Sequence, residues 1–206
     1  MTKTPFCPKP PRDFSKRAVP VHERNLAASS LRRIHRSMYS PIFFNRRSTS
    51  ATVFRFDVPN DEFGVLYAAP TFSACMFETV IRHVFAGGNL PLIIGQAELA
   101  CRSISSLGSG SARRLRLADF TQSLVPMGGE NIVMAINEYM VPNQWSLAVH
   151  SHPEKFDGIY FRSRYSNEPC VALFDRVDVI ARSAAIPILK CSELDAFLDK
   201  YHIGLL

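Results

Sequence analysis

The spacing of apolar and polar residues changes along the chain, and each change marks an element. Residues 52–57 (TVFRFD) alternate in the manner of a half-buried strand, and residues 64–69 (GVLYAA) form a short apolar run between turn residues. The two read as neighbouring strands of one sheet. Over residues 71–86 the period lengthens to that of a helix, with Ala74, Phe77, Ile81, Val84 and Phe85 on one face. Thr71 is placed as its N-cap, and Gly87 and Gly88 as its stop. Residues 91–99 and 114–120 carry strand-like stretches, and residues 143–150 (NQWSLAVH) read as a short helix bearing the single Trp. Ile159 and Phe161 then alternate with Tyr160 and Arg162 as a strand, SRYSNEP supplies a turn, and residues 170–174 form a second, buried strand. A closing helix is expected over residues 192–200, with Ser192 as cap and Leu194, Phe197 and Leu198 inward. Residues 103–111, rich in Ser and Gly, read as a flexible loop.

Composition narrows the class. A chain of 206 residues with 47% hydrophobic and 20% charged side chains holds one full core, so wholesale disorder and a disulfide-stapled miniprotein are both excluded. The net charge of +6 is unevenly placed: residues 1–47 carry 11 Lys/Arg against 2 Asp/Glu, and the rest is slightly acidic. Residues 1–30 are expected to form a basic, partly disordered leader. This leader shows neither aromatics interleaved with basic residues nor zinc-finger or basic-zipper spacing, so direct nucleic-acid contact is not expected. No apolar run approaches the roughly 20 residues of a membrane helix. With five cysteines and no C-x-x-C pair, the expectation is a reduced, cytoplasmic protein without membrane contact.

Several chemistries fail on their own terms. The phosphate-loop signature is absent, and GSGSAR at 108–113 lacks a third glycine. His150 and His152 have no third ligand nearby, so no metal is expected. Cys75 lies beside Ala74 on the apolar side of the expected helix and reads as core. No G-x-S-x-G frames a serine. Glu78 stands four residues before Arg82, the spacing of a surface ion pair on a helix.

Four segments taken together resemble the RES domain family, named for an Arg, a Glu and a Ser in that order. They are LRRIHRS around Arg33, FRFD with GVLYAA around Tyr67, ACMFET around Glu78 and DGIYFRSR around Ser163. The resemblance runs from Leu31 to the C-terminus and implies one α+β domain over residues 31–206. Its fold would resemble ADP-ribosyltransferases, with a split mixed and antiparallel sheet and flanking helices. Residue by residue, the family's arginine falls on Arg33, with Arg32 as the alternative. Its tyrosine falls on Tyr67, its glutamate on Glu78 and its serine on Ser163. Arg55 matches a position where many members have Gly-Arg-Trp, but here Phe54 and Phe56 flank it and the glycine is missing.

Characterised members of that family destroy NAD by water or phosphate attack, commonly as toxins restrained by an Xre-like helix-turn-helix antitoxin. The resemblance therefore implies NAD as substrate rather than cofactor, inorganic phosphate as a second ligand, and such an antitoxin as partner. Glu78 would stabilise positive charge developing on the ribose, Arg33 and Arg55 would hold the diphosphate, and Ser163 would bond the nicotinamide ribose. Tyr67 would stack on nicotinamide and aim its hydroxyl at a ribose or phosphate. Two rival readings are ADP-ribosyl transfer to a protein and a non-catalytic nucleotide-binding member.

Overall fold

The computed structural model describes residues 6–26, 31–50, 52–85, 90–111 and 113–206. Strands β1 (Val21–Asn25), β2 (Leu31–Arg36) and β3 (Val65–Ala68) precede helix α1 (Phe72–Met76), which runs through a π-turn (Phe77–Ile81) into α2 (Arg82–Val84). Then come β4 (Ile93–Ile94), α3 (Gln96–Ala100), β5 (Arg102–Gly108), β6 (Arg114–Asp119), α4 (Ile132–Ala135) and α5 (Met140–Ser151). The chain ends with β7 (Gly158–Arg162), β8 (Pro169–Phe174), β9 (Ile180–Ala181), β10 (Ile186–Pro187), α6 (Leu194–Tyr201) and β11 (Gly204–Leu205).

Two sheets make the body, as expected of a split α+β domain. One has the order β1-β6-β7-β8-β3 and is antiparallel except for the parallel pair β6 and β7. The other has the order β10-β5-β2, with β9 also on β5, and a parallel pair joins β4 to β11. Strand β8 is buried on both faces because its alternate residues serve two cores: Cys170, Ala172 and Phe174 face the larger, Val171 and Leu173 the smaller. The sheets meet where β2 and β3 leave each other. There Arg32 N–H donates to Ala69 O at 2.7 Å, and Ala69 N–H donates to Arg32 O at 2.9 Å.

The structure corrects several expectations. Residues 52–57 are a turn rather than a strand, because side chains take up their main-chain groups. Asp57 accepts from Phe54 N–H, Tyr67 Oη from Phe56 N–H, Asn143 binds the carbonyls of Phe54 and Arg55, and Ser146 that of Phe56. Most of the expected loop at 103–111 is strand β5. Two of its serines are buried, with Ser105 bonded to His35 at 3.0 Å and Ser103 to Ser37 at 2.8 Å. Residues 91–99 divide into β4 and the start of α3.

Thr71 does cap α1, accepting from Ala74 N–H at 3.1 Å. The π-turn then inserts a residue, rotating later positions by about 100° about the axis, so Phe85 is exposed instead of facing the core. Gly87 and Gly88, the expected stop, lie outside the described residues. Glu193 rather than Ser192 precedes α6, and no side chain caps that helix. The described part of the expected leader is packed: Phe14, Val19 and Leu26 are buried, Pro8 O accepts from Trp145 Nε1–H, and β1 pairs with β6.

Asp57, 3% exposed, accepts from Tyr67 Oη–H, Phe54 N–H and the Asn45 amide at 3.0, 2.7 and 2.6 Å. Removing it strands three donors at about 1–3 kcal/mol for each that stays dry. Asp57→Ala should lower stability by about 3 kcal/mol and Tm by about 6–12 °C in thermal unfolding. An unchanged Tm would show that water replaces the carboxylate.

The His150 ring stacks on Phe63 at 3.8 Å, and burial pushes its pKa down to about 4. A base depressed in the folded state is stabilising while neutral. Its contribution is therefore present above the unfolded value near 6.5 and lost as pH falls through about 4. His150→Phe should flatten the fall of Tm across that window; a curve parallel to wild type would assign the acid sensitivity to other groups.

Candidate active site

A cleft of about 370 Å³ opens where the two sheets part. This is within the roughly 300–1,000 Å³ of small-ligand sites. Strand β2 brings Arg33 and Ile34 to it, β3 brings Tyr67 and Ala68, and the π-turn brings Glu78. The turn at 54–57 adds Phe54 and Arg55, the turn between β7 and β8 adds Arg164 and Tyr165, and Tyr139 arrives just before α5.

The electrostatics are lopsided. Eight arginines line the cleft, and Glu78 is the one carboxylate among the described lining residues. Three of the eight face carboxylates: Arg32 binds Glu193 through two bonds of 2.9 and 2.6 Å, Arg102 pairs with Glu98, and Arg82 lies 4.0 Å from Glu78. The other five have no carboxylate partner among the described residues. Arg33 donates to the carbonyls of Pro41 and Phe43 at 3.1 and 2.8 Å, and Arg55 to those of Val133 and Ile136 at 2.9 Å. Arg164 donates to Tyr165 Oη at 2.6 Å and to the Asn137 side chain. Carbonyls fix a guanidinium without cancelling its charge. Burial pushes the pKa of Arg33 down to about 10, which still leaves it cationic at neutral pH.

Four of the five expected site residues converge here: Arg33, Arg55, Tyr67 and Glu78. Between the two candidates at the head of β2, Arg32 spends its fork on Glu193 whereas Arg33 keeps an uncompensated charge. Arg55 reaches the cleft from a turn, its guanidinium 5.2 Å from the centre of the Tyr139 ring. Tyr67 differs from expectation in one respect: its ring lines the cleft, but its hydroxyl is held inward between Phe56 N–H and Asp57. Burial raises that phenol's pKa well above its usual value, so it remains protonated.

Ser163 does not line the cleft. It is 2% exposed, and its Oγ accepts from Tyr165 N–H and Ser166 N–H, both at 3.2 Å. It thus organises the turn that presents Arg164 and Tyr165. Sequence reasoning did not single out Arg164 or Tyr139, and left Arg82 as a surface partner. Arg164 sits inside the DGIYFRSR segment, one residue past Ser163, and could have been found there. Among the described residues no cluster of His, Cys, Asp or Glu suits a metal ion.

Comparison with known proteins agrees with this architecture. No curated protein matches the chain. A chain in the crystal structure of the M. tuberculosis MbcT-MbcA toxin-antitoxin complex superposes with a TM-score of 0.61 at 13% sequence identity, covering 90% of this chain and 98% of that one. At that identity the likeness is one of fold. The RES domain model matches residues 30–193, the span that holds both sheets' central strands, Arg33, Tyr67 and Glu78, so the chain belongs to the RES domain family.

Proposed function

We propose that the protein cleaves NAD at the bond between nicotinamide and ribose. The observation that carries this reading is Glu78, a lone carboxylate in an arginine-lined cleft. A dinucleotide brings two negative phosphates and one cationic ring, and the cleft offers the complementary pattern of several fixed cations and a single anion. Nicotinamide leaves as a neutral base from a cationic nitrogen, so the bond can break without the general acid that an O-glycosidase needs. Positive charge then grows on the ribose, where Glu78 would stabilise it. Arg33 and Arg55, already oriented by carbonyls, would take the diphosphate with little reorganisation. Tyr67 would offer its ring to the substrate, and Ser163 would act at one remove by holding Arg164 and Tyr165 in place. Water or inorganic phosphate would then attack the ribose carbon.

We place the protein as the toxin of a toxin-antitoxin pair, with an Xre-like helix-turn-helix antitoxin as partner. Family membership and the origin of the fold neighbour in a toxin-antitoxin complex support the toxin-antitoxin pairing.

Purified protein given NAD should release nicotinamide, and Glu78→Gln should reduce the rate at least about 100-fold with Tm unchanged. Equal rates would remove Glu78 from the chemistry. Repeating the assay with and without phosphate, with product mass as readout, separates ADP-ribose from its phosphorylated form.

Losing one charge-assisted contact worth about 1.5–3 kcal/mol, Arg33→Gln should raise KM for NAD by about 10–100-fold. A KM within twofold of wild type would place the diphosphate elsewhere.

A further inference from the structure

Arg82 is a lining arginine to which the proposed cleavage gives no task. Its geometry is unlike that of the other paired arginines. Arg32 holds Glu193 by a two-bond fork that uses both carboxylate oxygens. Arg82 instead stands 4.0 Å from Glu78 Oε2, beyond hydrogen-bond length, so the charge is balanced while the oxygens stay open to a ligand. The guanidinium lies over the Phe54 ring, 5.0 Å from its centre, a cation–π contact that favours this placement. Phe54 packs edge-on against Tyr67 at 5.6 Å, and the hydroxyl of Tyr67 is tied to Phe56 and Asp57. A line of fixed groups therefore runs from the packed turn at 54–57 to the carboxylate. Glu78 and Arg82 are also mostly covered, their side chains 25% and 18% exposed, which limits solvent screening between them.

We propose that Arg82, seated on Phe54, is a positioning residue that orients the Glu78 carboxylate without occupying its oxygens. This rests on the NAD-cleaving reading of the same cleft. A residue that acts through Glu78 changes the chemical step, whereas one that grips the diphosphate changes binding.

The test is steady-state nicotinamide release by wild type, Arg82→Gln, Arg82→Lys and Phe54→Leu, with Tm recorded for each. Misplacing a catalytic group by about 1 Å can cost on the order of 100-fold. Arg82→Gln should therefore lose about 10–100-fold in kcat with KM within about twofold of wild type. Arg82→Lys, which restores the charge, should recover most of that loss, and Phe54→Leu, which leaves Arg82 in place but removes its seat, should fall between. Wild-type kcat in Arg82→Gln, a change confined to KM, or no recovery with lysine would each overturn the positioning role while leaving NAD cleavage standing. Absence of nicotinamide release by wild type would overturn both.

Discussion

The reciprocal pair of hydrogen bonds between Arg32 and Ala69 is the constraint on which the cleft depends. It holds β2 and β3 side by side for one residue and no further. Beyond it β2 belongs to β5 and β3 to β8, so the two sheets diverge and a space remains between them. Helix α1 begins three residues after Ala69 and is tied to the same point, because the Cys75 thiol donates to Arg32 O at 3.1 Å. Burial pushes that thiol up to about 12, which keeps the proton it donates and makes it an inert strut. The position of Glu78 relative to Arg33 thus follows from one bridge and one short helical run.

Around that opening the chain solves an electrostatic problem. Cations brought close together repel each other and lose hydration, and neutralising each with a carboxylate would leave nothing for an anionic ligand. Main-chain carbonyls at Pro41, Phe43, Val133 and Ile136 orient Arg33 and Arg55 while leaving their charge available. The pairs that do involve carboxylates use acids brought from outside the lining, Glu193 and Glu98. Glu78 is the exception, and its distance from Arg82 is what keeps its oxygens free.

How far the sequence could be read follows from where each segment's polar groups find partners. Strands β3, β7 and β8 were legible because their apolar alternation or apolar run directly reports sheet burial. Residues 52–57 alternate too, but their carbonyls are claimed by Asn143 and Ser146, nearly ninety positions away, which no local pattern records. Strand β5 misled for the opposite reason: serine marks loops by propensity, yet Ser103 and Ser105 pair with Ser37 and His35 inside the fold. In the site, the family pattern located Arg33, Tyr67 and Glu78, the residues whose place is set by short runs of chain. It did not give the direction of the Tyr67 hydroxyl or the Ser163 side chain, each fixed by neighbouring backbone amides. Arg164 and Tyr139 enter through loops whose approach to the cleft only the packed molecule defines.

The π-turn at Phe77–Ile81 also bears on how relatives of this chain are to be matched. It lengthens the helix by one residue without lengthening the path between the segments it joins. A homologue with an unbroken helix would therefore line up with this chain on both flanks only if a single-residue gap were opened between Met76 and Arg82. Registering the two ungapped would equate Glu78 correctly and every later helical position wrongly, or the reverse. At 13% identity, that bookkeeping decides whether the residue opposite Arg82 has been identified at all.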